Sequence, residues 1–175
     1  MVQNSKNISS LLVQGSTLYE FEIRAYERAD LKSPPYQQPV IFTGSSSIRM
    51  WSNLDAAFPN LTTLNRGFGG STMQDLIHYF DRLIAVHNPK LVVVYEGDND
   101  LADGRNVTEI TSDFRTFIER MKAQLPSSDF AFVSVKPSPS RIDLIPQMIE
   151  LDQSIKQLAS KEGGQLFRCL YPHAG

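Results

Sequence analysis

Four short stretches of this chain hold residues that can do chemistry. Ser45, Ser46 and Ser47 follow Gly44. Gly67, Gly69 and Gly70 crowd ahead of Ser71 and Thr72. Gly97-Asp98-Asn99-Asp100 sets an amide between carboxylates, and Lys136 to Ser140 alternates prolines with hydroxyls. A serine hydroxyl beside backbone N–H donors and a side-chain amide is what acyl transfer needs: a nucleophile and a hole for the tetrahedral oxyanion. Three glycines within Gly67 to Gly70 mark backbone that must approach something closely or adopt positive φ. Gly44 lets the chain turn sharply, and a serine opening the next helix feels the positive end of its dipole.

Each stretch ends an apolar run that reads as a strand: Pro39–Phe42, Leu61–Leu64, Leu91–Tyr95 and Phe130–Val135, with Gln165–Phe167 beginning a fifth. Leu91–Tyr95 does not alternate, which predicts burial on both faces, as in a parallel sheet covered by helices. Helical spacing fills the gaps. Leu18, Phe21, Ile23, Ala25 and Tyr26 suit the dry side of a first helix, with Glu20, Glu22, Arg24 and Arg28 on its wet side. A short helix is predicted through Trp51 to Ala57. Another, capped by Ser71 or Thr72, buries Met73, Leu76, Ile77 and Phe80 and is broken by Asn88-Pro89. Val107–Gln124 buries Ile110, Phe114, Phe117, Ile118 and Met121, and a last helix covers roughly Ile142 to Ser160 before Gly163-Gly164 stops it. Alternating strand and helix argues an α/β protein with a parallel, doubly wound sheet. The carboxyl ends of such strands share one edge, so the four polar stretches converge there.

On these residues the chain resembles the SGNH, or GDSL, hydrolases. Gly44-Ser45-Ser46 looks like the first block of that family, with Ser45 where aspartate is usual. Asn65-Arg66-Gly67-Phe68-Gly69-Gly70 resembles the second block and Gly97-Asp98-Asn99-Asp100 the third. The resemblance covers about residues 17–167. It implies a three-layer αβα sandwich with a flavodoxin-like parallel sheet, and hydrolysis of esters. Ser46 would be the nucleophile, aligned by Gly44 two residues before it and Trp51 five after; alignment on Ile48 would choose Ser47 instead. The N–H groups of Ser46 and Gly70 and the amide of Asn99 would hold the oxyanion. Losing one such donor typically costs about 10²–10³ in rate. The substrate would be a short-chain ester, a lysophospholipid or an acetylated sugar. No cofactor is expected.

The last block of the family, Asp-x-x-His near the C-terminus, is not matched. His173 has Leu170 three residues before it. Arg168–Gly175 is expected to be a frameshift product, which resequencing the 3′ end of the gene checks. Two expectations follow: weak or absent esterase activity, and a sheet region left uncovered that favours self-association. A binding module holding an acyl or sugar group without turnover is the competing reading, and a flavin or nucleotide binder rests on fold analogy alone.

The remaining features narrow the class. With 175 residues, 41% hydrophobic and 21% charged, the chain fits one globular domain, residues 17–175, incomplete at its C-terminus and preceded by a loose arm, 1–16. A formal net charge of −2 implies no basic surface for nucleic acid. One cysteine, Cys169, excludes an internal disulfide framework. No apolar stretch reaches the roughly 20 residues of a membrane span, and Met1–Ser10 lacks an apolar signal core, so a cytoplasmic location is expected. Gly-Asp-Asn-Asp lacks the spacing of a calcium loop, so no metal is expected. Asp98 and Asp100 read as solvated or supporting groups, and His78 and His87 as surface residues.

Overall fold

The computed structural model describes residues 18–35 and 38–168. The predicted arm and the tail beyond Arg168, with Cys169 and His173, lie outside the described residues. Helix α1 (Glu20–Lys32) precedes β1 (Val40–Gly44). The chain then forms α2 (Ser46–Arg49), α3 (Leu54–Ala57), β2 (Thr63–Gly67), α4 (Met73–His78), α5 (Phe80–Leu83) and a 3₁₀ turn at Ala85–His87. The second half holds β3 (Leu91–Tyr95), α6 (Asp98–Ala102), α7 (Val107–Gln124), β4 (Asp129–Val133), a 3₁₀ segment at Pro139–Leu144, α8 (Ile145–Glu162) and β5 (Gln165–Phe167). The five strands are all parallel in the order β2-β1-β3-β4-β5. This is the flavodoxin-like order of the doubly wound sheet.

The period-two alternation of each strand splits the apolar core in two. Ile41, Val92, Val94, Phe130 and Phe132 face a large cluster built with α1, α4, α5, α7 and α8. Val40, Phe42, Val93 and Tyr95 face a smaller one with Ile48, Trp51, Leu54 and Phe58. Trp51 packs edge-on against Phe42 at 5.8 Å, so its place after the serines serves this second layer. No helix among the described residues is long and apolar enough to cross a membrane.

Several predicted bounds shift for tertiary reasons. β2 starts two residues late and runs through Asn65 and Arg66 to Gly67, because its ladder with β1 continues to Gly44. β4 starts at Asp129 and ends at Val133. The single helix predicted after the Gly44 turn, through Trp51 to Ala57, is two four-residue pieces, Ser46–Arg49 and Leu54–Ala57, and the helix after Thr72 is broken at Tyr79 and Ile84. Residues 139–144 are 3₁₀, so the last α-helix begins at Ile145. In α1, Leu18, Phe21 and Ala25 point outward while Tyr19 and Ile23 are buried. Arg82 pins that helix from α5 by ion pairs to Glu20 (2.8 Å) and Glu27 (2.6 Å).

Candidate active site

Register levels three strand ends. Gly44 pairs with Gly67 on one side and Tyr95 on the other. The Ser45 N–H donates to Tyr95 O (3.1 Å), and the Phe68 N–H donates to Gly44 O (2.9 Å). The first serines, the glycine loop and the Gly-Asp-Asn-Asp segment therefore leave the sheet together. Ser45 is buried and precedes α2. Ser46 opens that helix and, like Ser47, is half-buried. The Ser46 hydroxyl makes no hydrogen bond among the described residues. With α2 only four residues long, the helix dipole contributes little there.

Asn99 is held at both ends of its amide. Its Nδ2 donates to Ser71 O (2.8 Å), and Arg141 Nη2 donates to its Oδ1 (2.7 Å). These partners fix the amide's orientation and leave one N–H of Nδ2 without an acceptor among the described residues. Arg141 also pairs with Asp98 (2.8 Å), whose other oxygen accepts from the Asn99 N–H (3.0 Å) and from Ser45 Oγ (3.5 Å). In the glycine loop, Gly67 O, Gly69 N and Gly70 O are all bonded to residues of α1 or its N-terminal cap, whereas the Gly70 N–H has no acceptor among the described residues. Gly70 sits at φ +80°, which favours glycine there.

Beneath this surface lie two buried acids. Asp100 is fully buried, not solvated: both its oxygens accept from the Met73 N–H (3.2 Å), and Arg105 pairs with it at 3.0 Å. Burial pushes its carboxyl up to about 6, against the pull of Met73 N–H and Arg105. Glu96, buried just past the end of β3, accepts from Ser71 Oγ (2.6 Å), and its Oε2 has no hydrogen-bond partner among the described residues. Burial raises Glu96 well above the usual carboxylate range, opposed by the Ser71 hydroxyl and reinforced by Asp100, Asp98 and Asp75. Both folded carboxyls hold protons that the unfolded chain releases near pH 4. Their contribution to stability is therefore full below about pH 4 and is lost as pH rises through the folded pKa. The thermal midpoint of the parent chain is expected to fall more steeply between pH 5 and 8 than that of Glu96→Gln. His87, whose pKa is lowered by burial, tilts the curve the other way below pH 6.5, equally in both chains. Parallel curves would contradict the buried-acid assignment.

Neither histidine among the described residues joins this edge as a base. His87 is not a surface residue: its side chain is 5% exposed and lies 3.6 Å from Asp30, in the turn leading into the opposite end of β3. A groove of about 710 Å³ lies there too, lined by Asp30, Leu31, Val86 and His87 among others, away from the serines. The spacing Asp-x-x-His does occur once, at Asp75 to His78. Asp75, however, is spent in the capping box with Thr72 that starts α4, and exposed His78 stacks edge-on against Tyr79 at 4.7 Å. In the Lys136–Ser140 stretch Lys136 is exposed, and its N–H donates to Tyr95 Oη (3.3 Å). The residue that reaches the site from just beyond that loop is Arg141, which no sequence motif marks. No motif marks Glu96 either, though an acid ending a strand buried on both faces is itself a signal. Among the described residues no group of three or more His, Cys, Asp and Glu side chains is placed to hold a metal ion.

Residues 37–174 match the sequence model of the GDSL-like Lipase/Acylhydrolase family. No curated protein sequence matches the chain. Among solved structures, a protein from Streptococcus pneumonia named for platelet activating factor aligns with a TM-score of 0.74 at 17% identity, covering 98% of this chain and 86% of that one. A GDSL-like lipase from Bacteroides thetaiotaomicron aligns at 0.72 and 19% identity, covering 83% and 77% of the two chains. A catalytic mutant of an acetylxylan esterase from Geobacillus stearothermophilus aligns at 0.59 and 14% identity, covering 74% and 75%. At such identities these likenesses speak for the fold. The family match runs from before β1 to beyond β5 and takes in all three loops at the strand ends, and on that span the chain belongs to the GDSL-like lipase/acylhydrolase family.

Proposed function

We propose that this chain is a serine ester hydrolase in which Ser46 attacks the ester carbonyl and the Gly70 N–H and Asn99 amide bind the oxyanion. The observation that carries this reading is the pair of donors left over. The polar contacts of the glycine loop and Asn99 hold them still, yet the Gly70 N–H and one Asn99 N–H have no acceptor among the described residues. Donors fixed in advance at the place where charge develops are the largest single contribution to acyl-transfer catalysis in many enzymes. The Ser46 oxygen bonds to the carbonyl carbon and its proton passes to a base. The tetrahedral oxyanion then expels the alcohol, which takes up a proton, and water cleaves the acyl-enzyme. The family and the lipase and acetylxylan esterase among its structural neighbours favour a small ester, a lysophospholipid or an acetylated sugar.

The reading includes a weak reaction for this chain. No histidine among the described residues stands at the serine edge with an acid behind it. Removing the base of a serine triad costs about 10⁶-fold in the subtilisin case, and binding plus oxyanion donors leave about 10³–10⁴ over water. The same feature favours the second reading, a module that binds an acyl or sugar group without turnover. Prolonged reaction with excess fluorophosphonate, followed by peptide mass mapping, separates them. An adduct on Ser46 is expected, forming at a rate that climbs steadily from pH 6 to 9 as solvent hydroxide takes the serine proton. A chain that is never labelled is the binding module. A rate that levels near pH 7 means that a histidine base operates.

A further inference from the structure

The glycine loop is fastened by a helix that lies ahead of the family-matched segment. Tyr19, Glu22 and Tyr26 fall on one stripe of α1 and its N-terminal cap, spaced three and four residues apart. Tyr19 Oη donates to Gly70 O (3.0 Å), Glu22 Oε2 accepts from the Gly69 N–H (3.1 Å), and Tyr26 Oη donates to Gly67 O (2.6 Å). The stripe thus bonds three backbone groups within four residues of loop. The other oxygen of Glu22 pairs with Arg49 (3.3 Å), on the helix that Ser46 opens. Tyr19 is itself immobile: its buried ring packs edge-on against Phe68 at 5.0 Å, and burial, then Asp75, push its hydroxyl upward, so it stays a donor. Gly70 by contrast is exposed and has open space where a Cβ would stand, so no side-chain packing of its own holds it.

We propose that Tyr19, with Glu22 and Tyr26, is a positioning residue that sets the direction of the Gly70 N–H. The inference rests on the hydrolase reading above for its catalytic consequence, but not for its geometry. Tyr19→Phe removes one hydroxyl and keeps the ring contacts. In the full chain, amide hydrogen exchange at Gly69, whose N–H is bonded to Glu22, is expected to speed up about tenfold, the effect of one hydrogen bond. The limiting rate of phosphonylation of Ser46 is expected to drop by a similar factor, while the half-saturating probe concentration stays within about twofold. Glu22→Gln, which keeps an acceptor for the Gly69 N–H, is expected to label faster than Glu22→Ala. Unchanged exchange at Gly69 in Tyr19→Phe overturns the brace. Faster exchange with unchanged labelling overturns its link to the reaction. A parent chain that is never labelled overturns the hydrolase reading instead, and the exchange data then decide the brace alone.

Discussion

Ser46→Ala is expected to abolish fluorophosphonate labelling, and Ser47→Ala to leave it within about threefold of the parent. The contrast follows from where the register puts the two residues. Both are half-buried, so exposure does not separate them. Ser46 is the first residue beyond the buried Ser45, whose N–H is locked onto Tyr95 O and whose Oγ reaches Asp98, the neighbour of Asn99. Ser47 is turned a further ~100° around the helix, away from that fixed point. The Ser46 hydroxyl has no partner to lose, so Ser46→Ala is also expected to shift stability by no more than about 0.5 kcal/mol. Loss of labelling with the urea midpoint unmoved is therefore the predicted pairing. Labelling that survives Ser46→Ala and vanishes in Ser47→Ala would move the nucleophile by one residue and favour alignment on Ile48.

Gly44→Ala is expected to cost about 4 kcal/mol or more and to leave little folded protein. A Cβ built at residue 44 lies 2.0 Å from Tyr95 O and 2.7 Å from Tyr95 C, both backbone atoms of a central strand, and the residue sits at φ +126°. Neither strand has room to move. β1 is laddered to β2 and β3, and Tyr95 O is the acceptor that anchors Ser45. Strain at such a φ is worth about 1–3 kcal/mol by itself, and the clash adds to it, in a fold whose whole stability is about 5–15 kcal/mol. Gly104→Ala is the control. Its φ is +82° and nothing lies within 4 Å of a Cβ, so only about 1–2 kcal/mol is expected. Urea midpoints read the difference. If the two variants unfold together, the close approach of the strand ends, and with it the convergence of the three loops, is wrong.

Local signals decided whole elements of this protein. β3 has the predicted bounds, β5 the predicted start, and α7 the predicted bounds, with Asn106 and Glu109 closing a capping box and Phe114, Phe117, Ile118 and Met121 filling one buried stripe. These elements are legible because burial on both faces, helical period and caps are all written within a few residues. The three polar blocks were legible too, since glycines and a serine after an apolar run are local features, and the parallel alternation fixes which edge they share.

Other assignments needed partners distant in sequence. Glu22 belongs by pattern to the wet side of α1, yet it binds Gly69 N–H, 47 residues away. His87 looks like an exposed turn residue until Asp30 packs beside it. Arg141 follows a proline-rich loop with no motif of its own, and acquires a role only because β4 lies next to β3 and brings it to Asp98 and Asn99. Sequence alone thus determined the layers, the edge and the residues offered for chemistry, because hydrophobic period and glycine placement act over a single turn or strand. Tertiary structure alone decided which polar groups are tied down and which donors lack an acceptor among the described residues, because a hydrogen bond is assigned by whatever the fold brings within about 3 Å.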